Sequence, residues 1–265
     1  MSSVTLALTD STTMLRRQLV HLRRYPSLTL MLIGMPIFFL LLFVYVFGGT
    51  LGAGLPGGAQ PGAAGRSAYL TYVTPALVLM AAAAASQGTA ISMAMDMTEG
   101  IVARFRTMAI SPGSVLAGHV LGSVVQALVA MAALLLAAFG IGFRPSAGLV
   151  DWLLLGVLLV LIALALTWLT VALGLVSKSV ETASNLPMFL MLLPFLGSGF
   201  VPVDSMPTAV RWFAQYQPFT PMIEGVRGLL TGNASTATLV VAGAWCVGIA
   251  LAGYAWARAL YRRER

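Results

Sequence analysis

Lys178 is the only lysine in the chain, and it follows Ser177. A Walker A loop needs a Gly-Lys pair, because that lysine reaches the terminal phosphates of ATP, so this chain presents no P-loop. His21 and His119 are far apart and no H-E-x-x-H run exists, which removes the zincins; no G-x-S-x-G occurs either. The single cysteine, Cys246, lies in an apolar run, leaving no intrachain disulfide and no multi-cysteine metal site. His119 reads as an interfacial histidine or as a proton relay. Gln87, Gln126 and Asn185 are long polar side chains in apolar surroundings, where hydrogen bonding between helices is the ordinary use. Few ionisable groups fall inside the apolar runs, although ion-coupled carriers ordinarily need some. No constellation supports catalysis, and no cofactor or metal is expected on this chain.

The elements that carry these residues follow from composition. Of 265 residues, 59% are hydrophobic and only 9% charged, with a mean hydropathy of +0.92. Soluble domains carry about 25% charge, and eight acids with fifteen bases cannot cover a water-exposed surface of this size. Soluble enzyme, nucleic-acid binder and disordered regulator are excluded together. The sequence describes an all-α polytopic membrane protein, and its net charge of +7 concerns topology and anionic lipid headgroups, with no nucleic-acid partner.

A helix needs about 20 apolar residues to cross a bilayer. Six runs qualify: 28–48, 68–94, 113–141, 150–176, 183–201 and 237–257. With both termini inside, eleven bases fall on the cytoplasmic side (Arg16, Arg17, Arg23, Arg24, Arg104, Arg106, Lys178, Arg258, Arg262, Arg263 and Arg265). Four fall outside: Arg66, Arg144, Arg211 and Arg227. The positive-inside rule selects this N-in, C-in orientation. The start of the chain is polar, with no small-residue cleavage site behind a short apolar core, so no cleavable signal is expected.

Three connecting segments stand out. In residues 11–25, Leu15, Leu19 and Leu22 form one stripe while Arg16, Arg17, Arg23 and Arg24 take the opposite side. Such a helix lies in the membrane interface, as a topology anchor or as an elbow leading into the first span. The cytoplasmic connection 96–111 reads DMTEGIVARFRTMAIS: Ile101, Phe105 and Met108 make a ridge, with Glu99, Gly100, Arg104 and Arg106 on other faces. It is a solvated loop or a short helix suited to a groove on a soluble partner. The segment 49–65 is a Gly- and Pro-containing external linker.

The stretch 203–232, VDSMPTAVRWFAQYQPFTPMIEGVRGLLTG, is too apolar for a free loop and too polar for a lone span. Its prolines predict a short helix from Pro207 to Tyr216, a break at Pro218 and Pro221, and a second helix closed by Gly232. A broken hairpin entering the outer leaflet reconciles the two properties. Glu224 and Arg227, three apart on that second helix, are expected to pair, as a structural ion pair or in contact with substrate.

Two stretches carry a family resemblance: EGIVARFRTMAISPGSVLAGHVLG and, more specifically, FLGSGFVPVDSMPTAVRWFAQYQPFTPMIEGVRGLLTG with its spaced FVPVDSMP, QPFTP and EGVRGLLTG. They resemble the type-2 ABC transporter permeases of the daunorubicin-resistance exporter group. Ala109 departs from that group's usual Pro before Ile-Ser. The resemblance implies a cell-membrane permease subunit that works as two copies, or with a sister permease, alongside two separate ATPase subunits that hold the ATP and Mg. It implies that 96–111 is a coupling helix, mapped onto Glu99, Gly100, Arg104, Phe105 and Arg106, and that 11–25 is an elbow. The hairpin marked by Pro202, Pro207, Pro218, Pro221, Glu224 and Arg227 would help close an external gate. The implied cargo is an amphipathic drug, antibiotic or lipid. A polysaccharide or lipid-linked polymer is the alternative cargo, an intramembrane lipid-modifying enzyme is the alternative class, and a non-transporting scaffold is a third reading.

Overall fold

The computed structural model describes residues 26–55, 62–98, 112–177 and 179–263. Among them the chain is helices and turns, with no strand. In chain order the helices are α1 Pro26–Leu42, α2 Gly48–Leu51, α3 Ala63–Thr98, α4 Pro112–Gly140, α5 Leu149–Val176, α6 Val180–Asn185, α7 Met188–Leu192, α8 Thr208–Tyr216, α9 Phe219–Thr231 and α10 Thr236–Arg263. A π-helical turn, Phe43–Phe47, joins α1 to α2.

Five stretches among the described residues are long and apolar enough to span a membrane: Ile33–Gly54, Ala63–Met95, Val120–Gly140, Leu149–Val176 and Thr236–Leu260. The expected span 183–201 is not a helix of that length. It breaks into α6, α7 and a run of turns from 193 to 200. Pro187 and Pro194 remove two backbone donors that a continuous helix would use, and Gly197 and Gly199 weaken it further.

α3 is the hub. Its central run Ala81–Ala85 is buried, and small side chains let neighbouring helices approach closely, the usual packing device where lipid supplies no hydrophobic drive. α5 meets it at Gly174, where an added Cβ would sit 2.8 Å from the Ala90 carbonyl oxygen. α4 meets it through a hydroxyl pair, Thr89 Oγ1 donating to Ser123 Oγ. α10 packs on α5 at Gly253, whose Cβ would lie 2.8 Å from the Leu169 nitrogen; Tyr254 stands edge-on to Trp168 at 5.0 Å. The outward faces remain apolar, as Leu136, Leu149, Leu153, Val157, Val240 and Leu251 illustrate, which suits a hydrocarbon surround.

Side-chain bonds sort the connections to two ends of the bundle. Ser146, between α4 and α5, donates through N–H to Leu230 O (3.1 Å) and through Oγ to Thr231 O (2.7 Å), satisfying carbonyls at the end of α9. Tyr69, near the start of α3, donates to Phe200 O (3.3 Å), and Arg66 lies over the Tyr45 ring. The α2–α3 connection, the α4–α5 connection and the α8–α9 hairpin therefore share one end. At the opposite end, Gln87 donates to Ser184 O (2.6 Å), tying α6 to α3 near the end of α5.

Candidate functional site at the hairpin junction

Prolines shape the hairpin locally. Pro207 (φ −57°, ψ 149°) leads extended backbone into α8, and Pro202 precedes the 3-10 turn Val203–Ser205. Gln217 is extended (ψ 148°), as the residue before a proline prefers, so α8 ends there and Pro218 opens α9. Pro221 falls in the first turn of α9, where no backbone donor is needed, and is buried. Gly232 (φ +69°) ends α9 in the left-handed region, with Asn233 N–H closing onto Gly228 O at 2.8 Å.

Arg227 is the centre of the junction. Its Nη2 donates to Ser198 O (2.6 Å) and to Tyr72 O (3.2 Å), its Nε to Tyr72 O (3.4 Å), and its guanidinium carbon stands 4.0 Å from the centre of the Tyr72 ring. Backbone carbonyls and an aromatic face thus compensate a cation among apolar neighbours, and a desolvated cation–π contact alone is worth about 2 kcal/mol. The expected Glu224–Arg227 ion pair is not formed. Glu224 is exposed, and the hydrogen bonds of Arg227 run to two distant elements instead. Pro75, one turn beyond Tyr72, cannot donate an N–H to the Thr71 carbonyl, which adjoins the Tyr72 carbonyl that Arg227 binds.

Polar side chains from the QPFTP stretch hold the 193–200 turns. Gln217 Nε2 donates to Leu193 O (3.0 Å), and Thr220 Oγ1 donates to Ala214 O (2.6 Å) while accepting from Ser198 N–H (3.4 Å). Gly197 and Gly199 are required by contact: a Cβ on Gly197 would meet Thr220 Oγ1 at 2.8 Å, and one on Gly199 would meet the Ala76 methyl at 2.8 Å. Phe195 stacks on Phe200 at 4.2 Å and Phe43 closes on Phe200 at 4.7 Å, joining the turns to the π-helical turn. Ser198 Oγ and Gln217 Oε1 are buried and have no hydrogen-bond partner among the described residues. Arg211 donates to the Asp204 carbonyl, fastening the start of α8.

The structure therefore brings Arg227 and Pro221 into one junction, while Glu224 makes no hydrogen bond to Arg227 but stays close enough to act on Arg227 and Tyr72 through its charge. Pro202, Pro207 and Pro218 set the backbone around it. Tyr72, Ser198 and Gln217 belong to the junction but were not singled out by the sequence. The available signal was Gln217 and Thr220 as polar residues in an apolar, proline-split segment. Arg16, Arg17, Arg23 and Arg24 lie outside the described residues, as do Glu99, Gly100, Arg104, Phe105 and Arg106.

Among the described residues, the hub helix is thus bonded to a proline-split hairpin through Arg227. The sequence profile of the ABC-2 type transporter family matches residues 9–231. The chain belongs to that family. It is similar to the daunorubicin resistance ABC transporter permease protein DrrB1 of Streptomyces coeruleorubidus, with 28% identity over 248 residues, 92% of this chain and 80% of the relative. It is also similar to the probable doxorubicin resistance ABC transporter permease protein DrrC of Mycobacterium tuberculosis, with 23% identity over 180 residues, 68% of this chain and 65% of the relative. The permease is thus a multi-pass transport subunit related to drug-resistance exporters, of a family that works with ABC ATPases and generally as permease pairs.

Proposed function

We propose that this permease is the membrane subunit of an ATP-driven exporter in a bacterial cytoplasmic membrane, moving amphipathic drugs, antibiotics or lipids outward. Two copies, or this chain and a sister permease, pair with two ATPase subunits that bind and hydrolyse the ATP. The observation that carries the reading is similarity to a daunorubicin resistance permease over 92% of the chain. In this reading 96–111 contacts the ATPase through Phe105, with Glu99, Arg104 and Arg106 fixing register and Gly100 easing the turn into it. The helix 11–25 is the elbow held at the phosphates by Arg16, Arg17, Arg23 and Arg24. The α8–α9 hairpin and the 193–200 turns form the external closure.

Everted vesicles holding the permease and its ATPase test the proposal. ATP-dependent accumulation of a fluorescent anthracycline or lipid is expected. If neither accumulates while ATP is hydrolysed, the cargo class is wrong. If the permease captures no ATPase, the exporter reading itself fails.

A further inference from the structure

The guanidinium of Arg227 joins three elements that are distant in sequence: α9 carries it, α3 offers the Tyr72 carbonyl and ring, and the 193–200 turns offer the Ser198 carbonyl. The turns carry three i to i−3 backbone bonds of their own, from the N–H groups of Phe195, Leu196 and Gly197, and Phe195 and Phe200 pack them on Phe43, while Gly197 and Gly199 add no side-chain contact. Tyr69, Gln217 and Thr220 also bond them, but through neutral groups and at 3.0 Å or longer. Arg227 to Ser198 O, at 2.6 Å, is the shortest of these attachments and the one with a charged donor. A charged donor gives the stronger hydrogen bond. Ser198 Oγ and Gln217 Oε1 are unpartnered at the same place.

We infer that Arg227 is the positioning residue that latches the 193–200 turns to the Pro75 turn of α3, and that release of the Tyr72 and Ser198 carbonyls frees those turns to move. The inference deepens the proposed external closure and rests on that reading only for what the movement accomplishes. Arginine suits the task because its planar fork reaches two carbonyls while stacking on a ring, whereas a lysine ammonium is a point charge that cannot hold all three contacts.

Two single-cysteine reporters in the full-length chain, with Cys246→Ser, test the latch in nanodiscs where a water-soluble maleimide reaches both faces. Ser198→Cys reports on the turns. Ser198 is 3% exposed and its hydroxyl has no partner, so the substitution leaves the accepting carbonyl in place. Met222→Cys, at a fully buried position of α9, reports on the hairpin as a whole. Both are expected to be shielded in the parent. Arg227→Met should speed labelling of Ser198→Cys by about tenfold, the scale of one lost hydrogen bond from a charged donor, with Met222→Cys still shielded. Arg227→Lys should give a smaller rise at the same reporter. If Arg227→Met exposes both reporters, the lysine variant decides: a rise confined to Ser198→Cys supports the latch. No rise there, or equal rises at both positions, overturns it. Adding the ATPase and ATP to the parent separates the two readings. Arg227-dependent shielding that ATP turnover leaves unchanged keeps the latch and refutes the external closure.

Discussion

Gly174 and Gly253 show how much of the bundle rests on absent side chains. A methyl at Gly174 would press on the Ala90 carbonyl and one at Gly253 on the backbone of Trp168 and Leu169, so helix must move from helix to admit either. Gly156, on the open face of α5, has nothing within 4 Å. Gly174→Ala and Gly253→Ala are therefore expected to destabilise by about 1–3 kcal/mol, the usual cost of overpacking. Gly156→Ala should be neutral or slightly stabilising, since alanine is the better helix former. Thermal unfolding in detergent measures all three, and a Gly156→Ala loss as large as the others would mean that helix contact is not the cause. Arg227 illustrates what sequence does not reveal at this scale. Spacing of three residues offered Glu224 as its partner, but the carbonyls that bind it lie 29 and 155 residues away, and no local pattern encodes a distant backbone acceptor.

At the scale of elements, legibility depended on whether a local rule decided the outcome. α8 and α9 begin and end where Pro207, Pro218 and Gly232 dictate, because proline and left-handed glycine act through their own φ values. The segment 183–201 misled because it is apolar enough to span, while Pro187, Pro194 and the glycines decide against a continuous helix. Hydropathy registers burial or lipid contact and is blind to backbone continuity. The hairpin makes a direct prediction in a Cys246→Ser background. Cysteines at Met206 and Asn233 should label with an impermeant reagent from outside, and Val226, fully buried against the bundle, should not. Trp212 is 66% exposed on the isolated chain, so its shielding in membranes would come from the outer leaflet, where tryptophan is at home. Labelling at all four would mean a solvated loop. Topology follows from the bonds of Ser146 to Leu230 and Thr231, which place the α4–α5 connection beside the hairpin. Reporters inserted after Gly142 and Gly232 should thus read the same side, expected to be external, and one after Ser177 the opposite side. A split between the first two contradicts the packing of the bundle.

At the scale of the whole molecule, the hub helix connects the two ends that an ATP-driven exporter must link. From Tyr72, which receives Arg227, to Thr98, where the described part of α3 ends, the helix runs 26 residues, roughly 40 Å at 1.5 Å per residue. The segment proposed to meet the ATPase follows at once in the chain. Work done on that segment would therefore reach the latch along one buried helix, with Pro75 next to the point of attachment as the place where it can bend. Phe105 is the best single handle on the coupling end, because truncating a buried interface aromatic often costs 2 kcal/mol or more, roughly thirtyfold in affinity. Reversing Arg104 or Arg106 would also disturb the charge bias that orients the chain, whereas Phe105→Ala changes no charge. The variant is expected to reach the membrane in normal amount, pull down less ATPase and lose substrate-stimulated ATP hydrolysis. It should also abolish any ATP-dependent labelling of Ser198→Cys while leaving the Arg227-dependent shielding intact, since only the drive from the far end is removed. A Phe105→Ala permease that co-purifies with its ATPase and exports like the parent would reduce 96–111 to a connecting loop and require another route for the work to enter.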